Sequence, residues 1–253
     1  MTLLTIAQRT FSFEDYGDRR GRPILLQHGL IASIQDRDLF QTLIDTGARV
    51  IAIARPGYGE APPIVLRDIG AWAEHIQPLL AALDLREFDV FGISSGAPYA
   101  YAIARAFPEL ARRLFILSGI PALYDDDVCA YWPYPVDRQA GLAQMQALAH
   151  TLFFADTTEA DRATPAIRDS LRNGCFGVAQ DLRLRGRDWG FRLADVTTET
   201  WMRHSRADDS VPFVAAERTA GLLPHCYFEA RDHDPHFSQE VLNDFISAVI
   251  APA

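Results

Sequence analysis

Residues 92–96 read Gly-Ile-Ser-Ser-Gly and place a hydroxyl group between two glycines. They lie between an apolar, strand-like run and a helix-forming run. A serine on a sharp strand-to-helix turn has a strained backbone, and side chains two residues away on either side would collide with their surroundings. Gly92 and Gly96 meet that need for Ser94, whereas Ser95 has no glycine at the same distances. The spacing therefore predicts Ser94 as a nucleophile.

A serine hydroxyl becomes a nucleophile when a base takes its proton and an acid orients that base. Candidates for both roles lie late in the chain, in loops that follow predicted strands. Asp208 and Asp209 lie in one loop, and His233 and His236 lie in the other. Side chains of these types can perform nucleophilic acyl transfer. Taken alone, the serine motif also fits a glycine-rich turn without chemical function.

A second motif supports the serine assignment. His28, Gly29 and Leu30 follow an apolar run at residues 24–27. Together with the glycine-flanked serine, this His-Gly resembles the α/β-hydrolase-fold serine hydrolases. The resemblance implies an oxyanion hole built from the backbone N–H groups of Leu30 and Ser95. It also implies that His28 shapes its loop and takes no part in proton transfer.

The resemblance implies a choice among the acid and base candidates, since the triad in these proteins follows the order serine, acid, histidine. The acid lies three residues before the valine of a Val-Pro pair, which selects Asp208 and leaves Asp209 as the alternative. The histidine lies about twelve residues after the proline of a Leu-Pro pair, here Pro224, which selects His236 over His233. The expected triad is therefore the motif serine with Asp208 and His236.

Two positions depart from the family pattern. Residues 55–59 read Arg-Pro-Gly-Tyr-Gly and resemble the loop after the fourth strand in this superfamily, where an acidic residue usually comes first. Ala54 occupies that position, so we expect this loop to be anchored differently. Ser205 stands where the family usually has glycine, in the turn before the candidate acid.

The elements that position these residues can be predicted from hydrophobic periodicity. Short apolar runs alternate with segments of helical period, as in βα units around a mostly parallel sheet. Predicted strands cover residues 24–27, 50–54, 88–91, 114–117, 200–204 and 227–230. Predicted helices cover residues 69–83, 213–222 and 241–250, the first and last preceded by the capping residues Asp68 and Ser238. The fold class is α/β, an α/β-hydrolase fold with a mostly parallel, doubly wound sheet.

Residues 121–194 break this alternation, because they are helical in pattern and contain no clear strand. We predict that they form a helical cap inserted into a core made of residues 1–120 and 195–253. The insertion follows a predicted strand, so the cap should lie over the serine and determine the substrate specificity. Aromatic residues of this segment, such as Trp132 and Trp189, either bind an apolar part of the substrate or form the cap's own core.

Composition narrows the chemistry further. All 24 basic residues are arginine, which excludes reactions that need a lysine amine, such as Schiff-base chemistry. A net charge of −9 disfavours nucleic-acid binding, and no apolar run approaches the ~20 residues of a membrane span. The 3 cysteines are too scattered for a disulfide framework or a thiolate zinc site. We expect a cytoplasmic monomer or homodimer with a small-molecule substrate, without a metal or other cofactor.

Three classes of function fit these residues. The leading one is hydrolysis of a carboxylic ester or lactone. The second is another reaction on the same fold, such as C–C bond hydrolysis, acyl transfer or cofactor-free oxygenation. The third is a ligand-binding protein without turnover, which would have no need for a complete triad. Oxidoreduction through NAD is disfavoured because no G-x-G-x-x-G follows the first predicted strand.

Overall fold

One sheet of eight strands lies at the centre of the protein. The computed structural model describes residues 1–251, and the strands are β1 (Thr2–Ile6), β2 (Arg9–Gly17), β3 (Pro23–Gln27), β4 (Arg49–Ile53), β5 (Phe88–Ile93), β6 (Ala111–Leu117), β7 (Glu199–Ser205) and β8 (Cys226–Arg231). Their order in the sheet is β1-β2-β4-β3-β5-β6-β7-β8. The pairs β1–β2 and β2–β4 are antiparallel, and every other pair is parallel. The predicted α/β class with a mostly parallel sheet is confirmed.

Helices cover both faces of this sheet. They are α1 (Gln41–Asp45), α2 (Ala71–Ala82), α3 (Ala97–Ala106), α4 (Asp126–Cys129), α5 (Leu142–Phe153), α6 (Glu159–Ala163), α7 (Pro165–Arg185), α8 (Phe213–Gly221) and α9 (Gln239–Phe245), which continues as a π-helical turn over Ile246–Ile250. The three helices predicted from periodicity correspond to α2, α8 and α9 with its extension. In the described part of the chain, no helix is both long enough and apolar enough to cross a membrane.

Both predicted capping residues accept hydrogen bonds from a helix start. Ser238 Oγ accepts the N–H of Val241, at 3.1 Å, in the first turn of α9. Asp68 Oδ1 accepts the N–H of Ala71 at 2.8 Å. Because α2 begins at Ala71, the helix is two residues shorter at its start than the apolar spacing from residue 69 predicted.

The amino-terminal hairpin was not predicted. β1 and β2 pair in register from Thr2 with Phe13 to Ile6 with Arg9, and β2 continues along the edge of β4. The turn between them has positive φ at two non-glycine residues, Ala7 at 47° and Gln8 at 66°. Hairpin turns of this kind are usually marked by Asn-Gly or Asp-Gly, so the sequence lacked the usual turn signal.

The central strands are buried on both faces, which explains why their sequences read as continuous apolar runs. Leu25 and Val90 point to the face covered by α2, α3 and α8, and neither is exposed. Leu26 and Phe91, their neighbours in β3 and β5, point to the face covered by α1 and α9. The sheet is thus wound on both sides, and the carboxyl ends of its parallel strands share one edge.

α4, α5, α6 and α7 occupy the predicted cap segment between β6 and β7, where the structure contains no strand among residues 121–194. α7 is interrupted at residues 172–175, where three successive residues have positive φ. Phe154 and Trp189 are 0% exposed. Trp189 packs on Tyr101 of α3 and on Tyr124, with ring centroids 6.4 and 4.9 Å away. These aromatic side chains are core residues, and the interpretation of Trp189 as a substrate contact is not supported.

Candidate active site

Ser94 occupies the turn between β5 and α3, with its backbone at a φ of 50°. A Cβ at Gly92 would lie 2.8 Å from Cβ of Ala100 in α3. A Cβ at Gly96 would collide with the carbonyl oxygen of Gln27 at the end of β3. Both glycines are therefore needed for the turn to fit between helix and sheet. Left-handed backbone at a non-glycine residue costs free energy, and such strain is typical of functional sites.

Ser94 belongs to a chain of hydrogen bonds with two of the predicted residues. His236 Nε2 lies 2.9 Å from Ser94 Oγ, and His236 Nδ1 lies 2.8 Å from Asp208 Oδ2. The side chain of Asp208 is fully buried, whereas that of His236 is 19% exposed. One imidazole thus bridges a hydroxyl group and a carboxylate, the arrangement in which histidine can take a proton from serine.

Backbone and side-chain donors hold the Asp208 carboxylate in its ionised form. Oδ1 accepts the N–H groups of Ser210 and Val211 at 2.9 and 2.8 Å. Burial alone would raise the pKa of Asp208, but hydrogen bonds from His204 and His236 outweigh it and hold that pKa well below its usual range. An anion at this position favours the imidazolium form that His236 would adopt after proton transfer.

His204 is a member of this site that the sequence motifs did not identify. It lies in β7 with no exposed surface, and its Nε2 lies 3.2 Å from Oδ2 of Asp208 and 3.0 Å from the carbonyl oxygen of Val211. One signal was available in the sequence, since His204 ends the predicted strand at residues 200–204, four residues before the candidate acid.

The two alternative candidates lie away from the serine. Asp209 is exposed and accepts a hydrogen bond from the hydroxyl of Ser210 at 3.0 Å. His233 is exposed on the loop after β8 and has no hydrogen bond to Ser94 or Asp208 among the described residues. The structure therefore brings together Ser94, Asp208 and His236, and leaves His233 and Asp209 outside the chain of hydrogen bonds.

The loop after β3 approaches Ser94 from the other side. A Cβ at Gly29 would lie 3.9 Å from Cβ of Ser94. The N–H of Leu30 donates no hydrogen bond within residues 1–251. Ser95 lies in the first turn after the strand, where helix N–H groups lack partners within the helix. N–H groups placed beside a serine can stabilise an oxyanion as it forms.

His28 shapes this loop as a neutral side chain. Its Nδ1 lies 2.9 Å from the carbonyl oxygen of Gly29, which only accepts, so the ring proton is on Nδ1. Its Nε2 accepts the backbone N–H of Arg55 at 3.3 Å. Burial, followed by the charge of Arg55, lowers the pKa of His28 well below its usual value. His28 is therefore suited to a structural role and not to proton transfer.

Arg55 binds the same loop through its guanidinium group. Nη1 donates to the carbonyl oxygen of His28 at 2.6 Å, and Nη2 donates to that of Gly29 at 2.9 Å. The loop beginning at Arg55 lacks the acidic residue that usually precedes it, and Ala54 is buried at that position. In this chain, an arginine of the second loop therefore holds carbonyl groups of the first.

A buried apolar cluster adjoins the serine. Ile120, Leu123, Trp132 and Val211 form a buried cluster. The N–H of Ile120 donates to the carbonyl oxygen of Ser94 at 3.0 Å, so this cluster begins next to the candidate nucleophile. Among the described residues, no group of three or more histidine, cysteine or acidic side chains is placed to hold a metal ion.

The fold and this site define a class of protein: the chain belongs to the α/β-hydrolase fold family, whose model matches residues 22–241. A 2-hydroxy-6-oxo-2,4-heptadienoate hydrolase from Pseudomonas putida is 24% identical over 252 residues, covering 90% of each chain. The meta-cleavage product hydrolase CumD superposes with a TM-score of 0.70 at 21% identity, over 99% of this chain and 96% of that one. An esterase from Exiguobacterium antarcticum superposes with a TM-score of 0.70 at 17% identity, over 100% and 99%. At these identities, the structural likeness shows the fold alone.

Proposed function

We propose that the protein is a serine hydrolase that cleaves a small carboxylic ester or lactone. The observation that carries this proposal is the continuous chain from Ser94 Oγ through His236 to Asp208, with bonds of 2.9 and 2.8 Å. A ligand-binding protein would not need a serine in a strained turn, a buried anion and an imidazole between them. The family to which the chain belongs includes esterases, such as the structural neighbour from Exiguobacterium antarcticum.

The reaction would proceed through an acyl-enzyme. His236 Nε2 takes the proton of Ser94 Oγ while that oxygen forms a bond to the carbonyl carbon of the substrate. The carbonyl oxygen becomes an oxyanion that accepts the N–H groups of Leu30 and Ser95. The imidazolium then donates its proton to the leaving alkoxide as the ester bond breaks. Water, activated by the same histidine, attacks the acyl group and releases the acid.

The buried apolar cluster next to the serine supports a substrate with an apolar part. Ile120, Leu123 and Val211 are each no more than 5% exposed, and Trp132 is 8% exposed. These four side chains carry no formal charge, and the cation Arg185 contacts them, with its guanidinium carbon 5.3 Å from the ring centroid of Trp132. Leu123 and Val211 are about as buried as Trp189, so we propose that only Ile120 and Trp132, the least buried members, contact the acyl or alcohol moiety when the substrate carbonyl lies over Ser94.

A second candidate function is C–C bond hydrolysis. It is favoured by the relative from Pseudomonas putida, which matches 90% of both chains and is named as a hydrolase of 2-hydroxy-6-oxo-2,4-heptadienoate. The same nucleophile and oxyanion donors can act on a ketone carbonyl, but the leaving carbon must be protonated as its bond to the carbonyl breaks. The two functions therefore differ in the atom of the leaving group that receives a proton, which is oxygen in ester hydrolysis and carbon in C–C bond hydrolysis.

Steady-state kinetics with two kinds of substrate tests the proposal. The purified protein is assayed with p-nitrophenyl acetate and butyrate, and in parallel with 2-hydroxy-6-oxo-2,4-heptadienoate. Ser94→Ala is the control, and it should lower kcat toward the esters by at least about 10³-fold. Ester turnover that exceeds dienoate turnover in kcat/KM supports the proposal. The reverse order establishes the second candidate, and ester turnover unchanged in Ser94→Ala overturns both.

A further inference from the structure

Asp181, in the cap helix α7, is a buried acid that belongs to none of the predicted sites. Its Oδ2 lies 2.6 Å from Nη2 of Arg55, and both side chains of this ion pair are almost fully buried. Arg55 Nε also donates to Oδ2, at 3.1 Å. Tyr99 donates its hydroxyl proton to Oδ1 at 2.7 Å, and Tyr58 Oη lies 2.9 Å from Oδ2. One carboxylate of the cap thus contacts three side chains of the core.

Two of those side chains hold the loop that approaches Ser94. Arg55 donates to the carbonyl oxygens of His28 and Gly29, as described above. Tyr58 Oη lies 2.9 Å from the carbonyl oxygen of Leu30. The carbonyl groups of three successive residues, 28–30, therefore contact Arg55 or Tyr58, and both of these side chains contact Asp181.

The contact with Gly29 has a direct consequence for the oxyanion donor. The carbonyl of Gly29 and the N–H of Leu30 belong to one peptide unit, which is trans, so the two groups point in opposite directions. Arg55 fixes the direction of the carbonyl on one side of the loop. It thereby fixes the direction of the Leu30 N–H on the other side, and the preceding residue, Gly29, lies close to Ser94.

Arg55 can hold this position because Asp181 balances its charge. A guanidinium that is 1% exposed loses most of its hydration, and an unpaired buried charge is strongly unfavourable. Burial alone would lower the pKa of Arg55, but the Asp181 carboxylate outweighs it and raises that pKa. Without Asp181, the free energy would fall if the guanidinium moved toward water and away from the two carbonyl groups.

The backbone of α7 is adapted to this contact. A Cβ at Gly177, one turn before Asp181, would collide with the ring of Tyr58. Glycine lets the helix approach closely enough for the carboxylate to reach both Arg55 and Tyr58. Arg55 also lies over the rings of Tyr58 and Tyr99, with its guanidinium carbon 5.2 and 4.8 Å from their centroids.

From this arrangement we propose that Asp181 is a positioning residue that couples the cap to the oxyanion hole. With α7 docked, Asp181 holds Arg55, which aims the N–H of Leu30 at the substrate oxyanion through the carbonyl of Gly29. Asp181 also contacts Tyr58, which holds the next peptide unit of the loop through the carbonyl of Leu30. The inference rests on the proposed function, because it assigns a role within the same reaction. It explains how a loop without its usual acidic neighbour is anchored: the acid comes from the cap, 126 residues away in the chain from Arg55.

Inhibition by an aryl trifluoromethyl ketone distinguishes misalignment of the oxyanion donors from a general loss of folding stability. Ser94 Oγ adds to the ketone carbon, and the ketone oxygen becomes an oxyanion that needs the same N–H donors as the reaction. Loss of one oxyanion donor lowers kcat by about 10²–10³-fold in a serine protease, and misalignment should cost part of that. Asp181→Asn should therefore lower kcat by about 10–100-fold, raise the ketone Ki by a similar factor and change KM by less than about 3-fold.

Two controls match this variant. Asp89→Asn removes another buried acid, which lies on β5 and pairs with Arg113 at 2.9 Å, away from the loop. It should lower stability and leave the ketone Ki unchanged. Tyr58→Phe and Tyr99→Phe each remove one hydroxyl next to Asp181, but only Tyr58 contacts the carbonyl of Leu30. Tyr58→Phe should raise the ketone Ki more than Tyr99→Phe, and this pair decides the question if Asp181→Asn does not fold.

The outcomes separate this proposal from the proposed function. If the wild-type protein neither hydrolyses esters nor binds the ketone, the proposed function is wrong and this inference is wrong with it. If the wild-type protein does both, and Asp181→Asn keeps the wild-type ketone Ki, the positioning role is wrong and the proposed function stands. Equal ketone Ki values for Tyr58→Phe and Tyr99→Phe also overturn the positioning role.

Discussion

Replacing His28 with glutamine should remove a pH dependence from the stability of the folded protein. His28 is 3% exposed, donates from Nδ1 to Gly29 and accepts at Nε2 from the N–H of Arg55. A second proton on Nε2 would face that N–H and would add a charge beside the Arg55 guanidinium. Burial and this charge keep the ring neutral in the folded protein. Glutamine offers one donor and one acceptor at similar reach and does not titrate.

The size of the effect follows from proton linkage. The folded-state pKa of His28 lies below its unfolded value, so the unfolded chain binds more protons as the pH falls. The stabilisation is present above about pH 6.5 and is lost below it, with a slope that approaches about 1.4 kcal/mol per pH unit. Between about pH 7.5 and 5.0 the wild-type protein should lose about 2 kcal/mol that the variant keeps. His75, whose pKa is also lowered, contributes equally to both proteins.

Urea denaturation at several pH values between these limits measures the difference. The free energy of unfolding is plotted against pH for each protein, and only the change with pH is compared, so that a uniform loss of stability in the variant does not enter. Two parallel curves would contradict this prediction. They would mean that His28 binds its proton in the folded state as readily as in the unfolded chain.

Two pairs of substitutions test the site and the cap. His236→Ala should lower kcat toward p-nitrophenyl esters by about 10³-fold or more, as loss of a triad base does, while His233→Ala, on an exposed loop, should change it by less than about 3-fold. The opposite ranking in steady-state assays would make His233 the base. Trp132→Ala should alter the dependence of kcat/KM on ester chain length, because Trp132 packs in the cluster beside Ser94. Trp189→Ala should leave that dependence unchanged and lower the free energy of unfolding by about 3–5 kcal/mol, because Trp189 is fully buried in the core. Identical chain-length profiles for wild-type protein and Trp132→Ala would show that Trp132, too, serves only the core.

Features that leave a recognisable pattern in the sequence, by spacing, periodicity or motif order, were predictable. The turn at Ser94 needs glycine two residues away on each side, and the contacts of Gly92 and Gly96 show the reason in terms of α3 and β3. The parallel strands are buried on both faces, so continuous apolar runs identified them. The sequence order of acid and histidine, combined with the family resemblance, selected Asp208 and His236, which the structure places within hydrogen-bond distance of each other.

Features that depend on contacts between distant segments were not predictable. Asp181 reads as a surface residue in a charged stretch, and nothing in the local pattern indicates that it pairs with Arg55. The hairpin turn at Ala7 and Gln8 lacks the residues that usually mark such turns. Cap aromatics gave an ambiguous signal, since both a binding surface and a packed core need apolar side chains. For Trp189, its packing on Tyr101 of α3 decides in favour of the packed core.

We propose Ser94 as the nucleophile of a serine hydrolase. Covalent labelling of the folded protein with a fluorophosphonate probe, followed by intact mass measurement and peptide mapping, tests it most directly. We expect one adduct per chain, located on the peptide that contains Ser94 and absent from Ser94→Ala. Labelling that persists in Ser94→Ala, or that never occurs in the folded wild-type protein, would contradict it.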